Sequence, residues 1–188
     1  MNLRTRPTSP RIAPLTDAEI GPAAKEILDT VVPAGTSPGN LFRTIVRNEG
    51  LTRRWLPFGS KVLRAGKLPE RDREFLVLRT GWNCQSAYEW GQHVAISLDI
   101  GITQDEIDRI AAGPDAGWVG FEKALITAAD ELHFDACISE ETWAVLAERY
   151  DVQQLIELPM LVGQYHLVAM TLNSLGIPLD PGARGFGP

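Results

Sequence analysis

From Leu41 onward apolar residues recur three and four positions apart: Leu41 and Ile45, then Leu51, Trp55, Phe58 and Val62. That spacing lines up one face of a 3.6-residue turn and commits the chain to helices that each have a stripe to bury. Alternating apolar and polar runs, the mark of a half-buried strand, are scarce along the chain, so the expected fold class is all-α. With 188 residues the chain supports one core of ordinary domain size.

Start and stop signals divide the pattern. Pro7, Pro10 and Pro14 break up the first segment into an extended arm. Thr16, followed by Asp17 and Glu19, predicts an N-cap and a short helix to about Thr30, and Pro33, Gly35, Pro38 and Gly39 predict a loop. Residues 1–38 are thus an arm with a short helix, and 39–188 a single helical domain. Within it two helices are expected to break at Glu49-Gly50. Another opens at Leu68-Pro69-Glu70-Arg71-Asp72, runs through Phe75, Leu78 and Trp82, and ends near Gly81 to Asn83. A helix from Ser86 to Ile100 stops at Gly101. Thr103 caps a short amphipathic one, with Ile107 and Ile110, that ends at Gly113-Pro114. Later helices fall at about 118–134, 139–150 and 151–174, the last closed by Gly176 and Pro178 and bent or divided at Pro159.

Hydrophobic residues at 44% and charged residues at 22% are globular values. The 18 basic against 24 acidic side chains leave a net charge of −6, which offsets no phosphate repulsion and argues against nucleic-acid and anionic-membrane partners. Cys84 and Cys137 are too few and too far apart for a disulfide framework and are expected to be thiols. Residues 1–14 lack an apolar signal region and no run of about 18 apolar residues occurs, so a cytoplasmic protein without a membrane span is expected.

No P-loop, GxSxG, HExxH or CxxC is present. His93, His133 and His166 are the only imidazoles, and no local ligand spacing announces a metal, so none is expected. On a helix, Ser86, Glu89 and His93 share one face, continued by Ile96 and Ile100. A polar trio on a stripe that turns aliphatic implies partly buried, hydrogen-bonded groups. Glu89 and His93, four apart, are in reach of each other, as a chemical pair or as a structural tie between helices. Glu74 has Val77 and Leu78 one turn on. Either it faces the interior, where an antiparallel turn at Gly81 to Cys84 brings it toward His93 to set the imidazole tautomer, or it forms an exposed bridge with Arg71 or Arg73. Arg79, its stem among Leu76, Val77 and Leu78, reaches a pocket or a neighbouring subunit, or sits on the surface. Tyr165 and His166 belong to the same cavity or to core and interface. Trp82, Trp90, Trp118 and Trp143 suit core or subunit contacts, with Trp90 also a candidate substrate contact beside Ser86, Arg79 and Tyr165.

The series Leu68-Pro69-Glu70-Arg71-Asp72-Arg73-Glu74, Arg79-Thr80-Gly81-Trp82, Tyr88-Glu89-Trp90-Gly91-Gln92-His93 and Gly101-Ile102-Thr103 resembles the carboxymuconolactone decarboxylase family, whose superfamily includes the AhpD-like alkylhydroperoxidases. The resemblance is strongest over 65–113. It implies an AhpD-like helical bundle, assembled as a homo-oligomer (dimer, trimer or hexamer), with a small-molecule substrate and no cofactor. The redox branch carries a CxxC four residues before its histidine. Laying His93 on that histidine places Ser86 and Glu89 at the cysteine positions and Glu74 at the glutamate of the preceding helix. Serine and glutamate perform no thiol–disulfide exchange, so the alkylhydroperoxidase alternative loses its mechanism. The decarboxylase branch needs an oxyanion donor and a proton for carbon. The resemblance then implies His93 as donor or acid, Glu74 orienting it and Glu89 relaying a proton.

Overall fold

The structure is a computed structural model that describes residues 5–32 and 36–186. Pro33 and Gly35 of the expected loop, and residues 1–4 of the arm, lie outside the described residues. Among the described residues the helices are α1 (Pro22–Leu28), α2 (Asn40–Ile45), α3 (Glu49–Arg64), α4 (Glu70–Asn83), α5 (Ala87–Asp99), α6 (Gln104–Ala112), α7 (Gly120–Phe134), α8 (Glu140–Ala147) and α9 (Val152–Leu175), with no strand. The fold class is all-α. Local chemistry sets many of the ends. The Thr103 hydroxyl accepts from the Glu106 amide while the Glu106 carboxylate accepts from the Thr103 amide, and Asp151 with Gln154 repeats this box at α9.

Several boundaries depart from expectation. The Thr16 box closes only a 3₁₀ turn, Asp17–Glu19, because Gly21-Pro22 restarts the helix as α1, which ends at Leu28. The break expected at Glu49-Gly50 falls earlier. Asn48 accepts from the Leu51 amide as the cap, so Glu49 and Gly50 open α3, with the acid favourably placed in the first turn. Pro159 divides nothing, and α9 is one helix of 24 residues. Packing of Leu158, Leu161 and Val162 into the core, each burial contributing roughly 1.5–3 kcal/mol, outweighs the bond that proline removes. The apolar runs predict no membrane span, yet α9 is long and apolar enough to be one; here it packs on α3, α4, α5 and α7.

α4 is the centre. It packs against α5, α6, α7 and α9, and every residue from Asp72 to Gly81 is buried. One side, through Leu76 and Val77, joins Leu125, Ala128 and Leu161. The other, through Phe75 and Leu78, joins Trp90, Ile107, Ile110 and Trp118. A helix enclosed on all sides must settle its charged residues inside the protein. Asp72 accepts from the Tyr150 hydroxyl and Arg149, and the buried Arg73, Glu74 and Arg79 are settled as described below.

A layer made by the arm, α1, α2 and α3 covers this bundle, with Leu15, Ile27, Leu28, Val46 and Leu56 between them. The arm is tied down by the Arg11 amide on the Leu175 carbonyl. After Gly176, in the left-handed region at φ 65°, the C-terminal segment returns across α5. A Cβ on Gly91 would overlap the Arg184 carbonyl oxygen, so the crossing needs glycine there.

Candidate active site

The turn between α4 and α5 fixes the site. The Ser86 amide donates to the Gly81 carbonyl and the Gln85 amide to that of Trp82, both at 2.9 Å, with Gln85 at φ 51°. This is a Schellman ending with glutamine in the position usually given to glycine. Arg6 Nη2 and Asn173 Nδ2 donate to the Cys84 carbonyl at 2.9 and 3.0 Å, holding the turn from outside.

The reversal sets α5 against α4 and brings His93 to Glu74. His93 Nδ1 lies 2.6 Å from Glu74 Oε2, and Arg73 Nε donates to Oε1 at 3.0 Å. Glu74 is fully buried, so of the two readings of this residue the interior one holds, with Arg73 buried alongside. Burial alone would raise the Glu74 pKa; the His93 charge and the bonds from His93 and Arg73 outweigh it and hold the carboxyl below its ordinary value. An anionic Glu74 accepts the Nδ1 proton and leaves Nε2 for an occupant of the cavity.

Glu89 does not bond to His93 as their spacing suggested. Both its carboxylate oxygens are buried without a hydrogen-bond partner among the described residues. Desolvation drives its pKa well above the ordinary carboxyl value, which favours the protonated, neutral acid. Gly81 makes room for it: a Cβ there would lie 3.3 Å from Glu89 Oε1.

Glu89 and His93 line one cavity of about 1100 Å³, together with Tyr88, Gln92, Ile96 and Tyr165. The Tyr165 and His93 rings meet edge to face at 4.9 Å, and burial, then Glu74 and Glu89, raises the phenol well above its ordinary pKa. The far wall comes from α3 and the C-terminal segment. Trp55 Nε1 donates to Gln164 Oε1 at 3.1 Å. Asp180 accepts from the Tyr88 hydroxyl (2.6 Å), Gln92 Nε2 (3.0 Å) and the Asn40 amide (2.6 Å).

Three candidate contacts lie elsewhere. Arg79 reaches neither the cavity nor the surface: Nε and Nη2 bond both oxygens of Asp130 at 2.5 and 2.8 Å, and Nη1 donates to the Ile110 and Ala111 carbonyls. Trp90 packs on Trp82 and Phe186, a core contact. Ser86 is buried at the N-cap of α5 with no side-chain cap bond. His166 turns away from Tyr165 toward His133. Sequence reasoning missed Tyr88, Gln92, Trp55 and Asp180. The i, i+3, i+4, i+7 set Glu89, Gln92, His93 and Ile96 was there to mark Gln92, whereas Asp180 lies 88 residues from Gln92 and left no local signal.

This arrangement sits in a widely used helical frame. A peroxidase-related protein with an alkylhydroperoxidase AhpD core from Ralstonia eutropha is similar at a TM-score of 0.75, with 16% identity over 90% of this chain and 93% of its own. A variant of the debrominase Bmp8 in complex with 2,3,4-tribromopyrrole gives 0.76, with 11% identity over 92% and 93%. An Agrobacterium tumefaciens protein described as a putative antioxidant defence protein AhpD gives 0.66, with 13% identity over 72% and 94%. No curated protein matches by sequence. The class is therefore the AhpD-like helical fold. More narrowly, residues 49–131, which hold α3 to α6 and most of α7, match the model of the carboxymuconolactone decarboxylase family.

Proposed function

We propose that the protein is a cofactor-independent decarboxylase of a small carboxylated lactone or a related ring-cleavage acid. The observation that carries this reading is a buried Glu89, without a hydrogen-bond partner among the described residues, sharing a cavity with a His93 oriented by Glu74, where a redox relative would need two thiols. Breaking the carbon–carboxylate bond releases CO2 and sends its electron pair through the ring alkene to the lactone carbonyl. His93, carrying a proton on each nitrogen with Glu74 balancing its charge, steadies the oxyanion through Nε2–H, and Glu89 delivers the proton that completes the new C–H bond and regains one from solvent after product leaves. Glu74 positions the imidazole without touching substrate. Arg64 lines the same cavity and offers a cation to the substrate carboxylate. Bmp8 holds a small substituted ring, which supports a ring-sized ligand for this frame.

The same reading includes a homo-oligomer in the cytoplasm. Val152, Ile156, Met160, Leu167 and Met170 form an exposed apolar stripe along α9 suited to a second copy. Light scattering after gel filtration tests that assembly, and a monomer would remove it.

The enzymatic claim is tested by incubating the protein with carboxylated muconolactones while following lactone absorbance and CO2. Wild type is expected to turn over at least one, and His93→Gln to lose about 10²–10⁴-fold in kcat with its fold intact by circular dichroism. Absence of turnover across the panel, or a His93→Gln variant as active as wild type, overturns it.

A further inference from the structure

Outside the cavity a second cluster of reactive side chains converges from three elements: Cys84 at the end of α4, His133 in the last turn of α7, and His166 in the middle of α9. Cys84 Sγ lies 3.9 Å from His133 Nδ1, which lies 2.9 Å from His166 Nε2, and all three ligand atoms fall within 4.8 Å of one another. None of the three residues lines the cavity. All three are half-buried, within reach of solvent yet held by neighbours.

We propose that Cys84, His133 and His166 bind one borderline-soft divalent cation of the zinc type, with water completing a four-coordinate site. The donor set is a thiolate and two imidazoles, the ligands such a cation prefers. Around a tetrahedral ion the two nitrogens stand roughly 3.3 Å apart and sulfur stands roughly 3.6 Å from each nitrogen. The observed 2.9 Å nitrogen pair opens by about 0.4 Å and the 3.9 Å sulfur–nitrogen pair closes by about 0.3 Å on binding, while Cys84 Sγ and His166 Nε2, within 4.8 Å of each other, close by up to about 1 Å through the Cys84 side-chain torsion.

The surroundings already set the ligands. His166 Nδ1 lies 2.8 Å from the Val162 carbonyl, which only accepts, so Nδ1 carries the proton and the Nε2 lone pair faces His133. In the metal-free protein that lone pair accepts the His133 Nδ1 proton; the cation takes its place. His133 then holds its proton on Nε2, Cys84 loses its thiol proton to solvent, and binding releases one proton for each ion taken up. Cys84 is fixed through its carbonyl by Arg6 and Asn173, and His166 by the rigid length of α9. A bound ion ties the turn before α5 to α7 and α9.

The test uses metal-stripped full-length protein dialysed against Zn2+, with bound metal measured by plasma mass spectrometry, and a parallel Co2+ titration followed by absorbance. Wild type is expected to retain one ion per chain and to show a thiolate-to-cobalt charge-transfer band with four-coordinate d–d bands. Cys84→Ser should abolish the charge-transfer band, and Cys84→Ser and His166→Gln should each weaken binding more than roughly tenfold. His93→Gln should bind as wild type does, and the melting temperature should rise with Zn2+ in wild type but not in Cys84→Ser. Failure of wild type to retain metal, a cobalt spectrum without the charge-transfer band, or binding lost in His93→Gln and kept in Cys84→Ser overturns the proposal. Because the readouts are binding and melting, they stand apart from the outcome of the decarboxylase assay.

Discussion

Two charged groups on α4, five residues apart, are treated in opposite ways. Around Arg79 every guanidinium nitrogen is bonded: the group meets both Asp130 oxygens and two helix-end carbonyls, and Asn83 adds a bond to Asp130 at 2.7 Å. Around Glu74 the dyad with His93 is complete, yet it adjoins a cavity where Glu89 keeps two oxygens without partners and an imidazole nitrogen stays available. A saturated network locks α4 to α6 and α7 and has nothing left to offer a ligand. An unsaturated one costs stability and retains protons and lone pairs for chemistry.

The comparison breaks first at Arg79. Arg79→Ala leaves Asp130 half-buried without its cation and should cost about 3–5 kcal/mol in urea unfolding, while the molecules that remain folded keep the wild-type rate per site. A loss under about 1 kcal/mol would mean the network is ornamental.

Glu89→Gln sharpens the other half. A carboxyl whose folded pKa is raised holds its proton more tightly when folded, so its stability contribution is full below the unfolded value and is lost as pH rises through the folded one. Glutamine keeps the shape and cannot ionise. The variant's melting temperature should therefore exceed that of wild type by a margin that grows as pH rises above the ordinary carboxyl range, while turnover falls about 10²-fold or more. A margin that stays flat with pH would show that Glu89 is ionised in the fold.

The smallest effect is expected at Ser86. Its buried hydroxyl has no partner among the described residues and it caps α5 without a side-chain bond, so Ser86→Ala should change stability by less than about 0.5 kcal/mol. Ser139→Ala, which removes a formed cap on the Thr142 amide, should cost about 1 kcal/mol by the same melting measurement.

What the sequence disclosed follows from the range of each interaction. Caps and apolar spacing act within four residues, so α4, α6 and α7 to α9 fall close to their expected places, and Glu74 faces His93 because one tight turn separates their helices. Arg79 and Asp130 lie 51 residues apart, so the buried arginine looked like a surface or pocket residue. The partners of Cys84 lie on α7 and α9, beyond any local spacing rule. Pro159 misled for the opposite reason: a local breaker was overruled by burial along the whole of α9.

Asp180 carries one further consequence. A chain cut after residue 175 would keep the nine helices found among the described residues, but Tyr88, Gln92 and the Asn40 amide would lose their common acceptor. The hollow is thus closed by a residue outside the helical bundle, so the shape it offers an occupant depends on a strap that no helix carries.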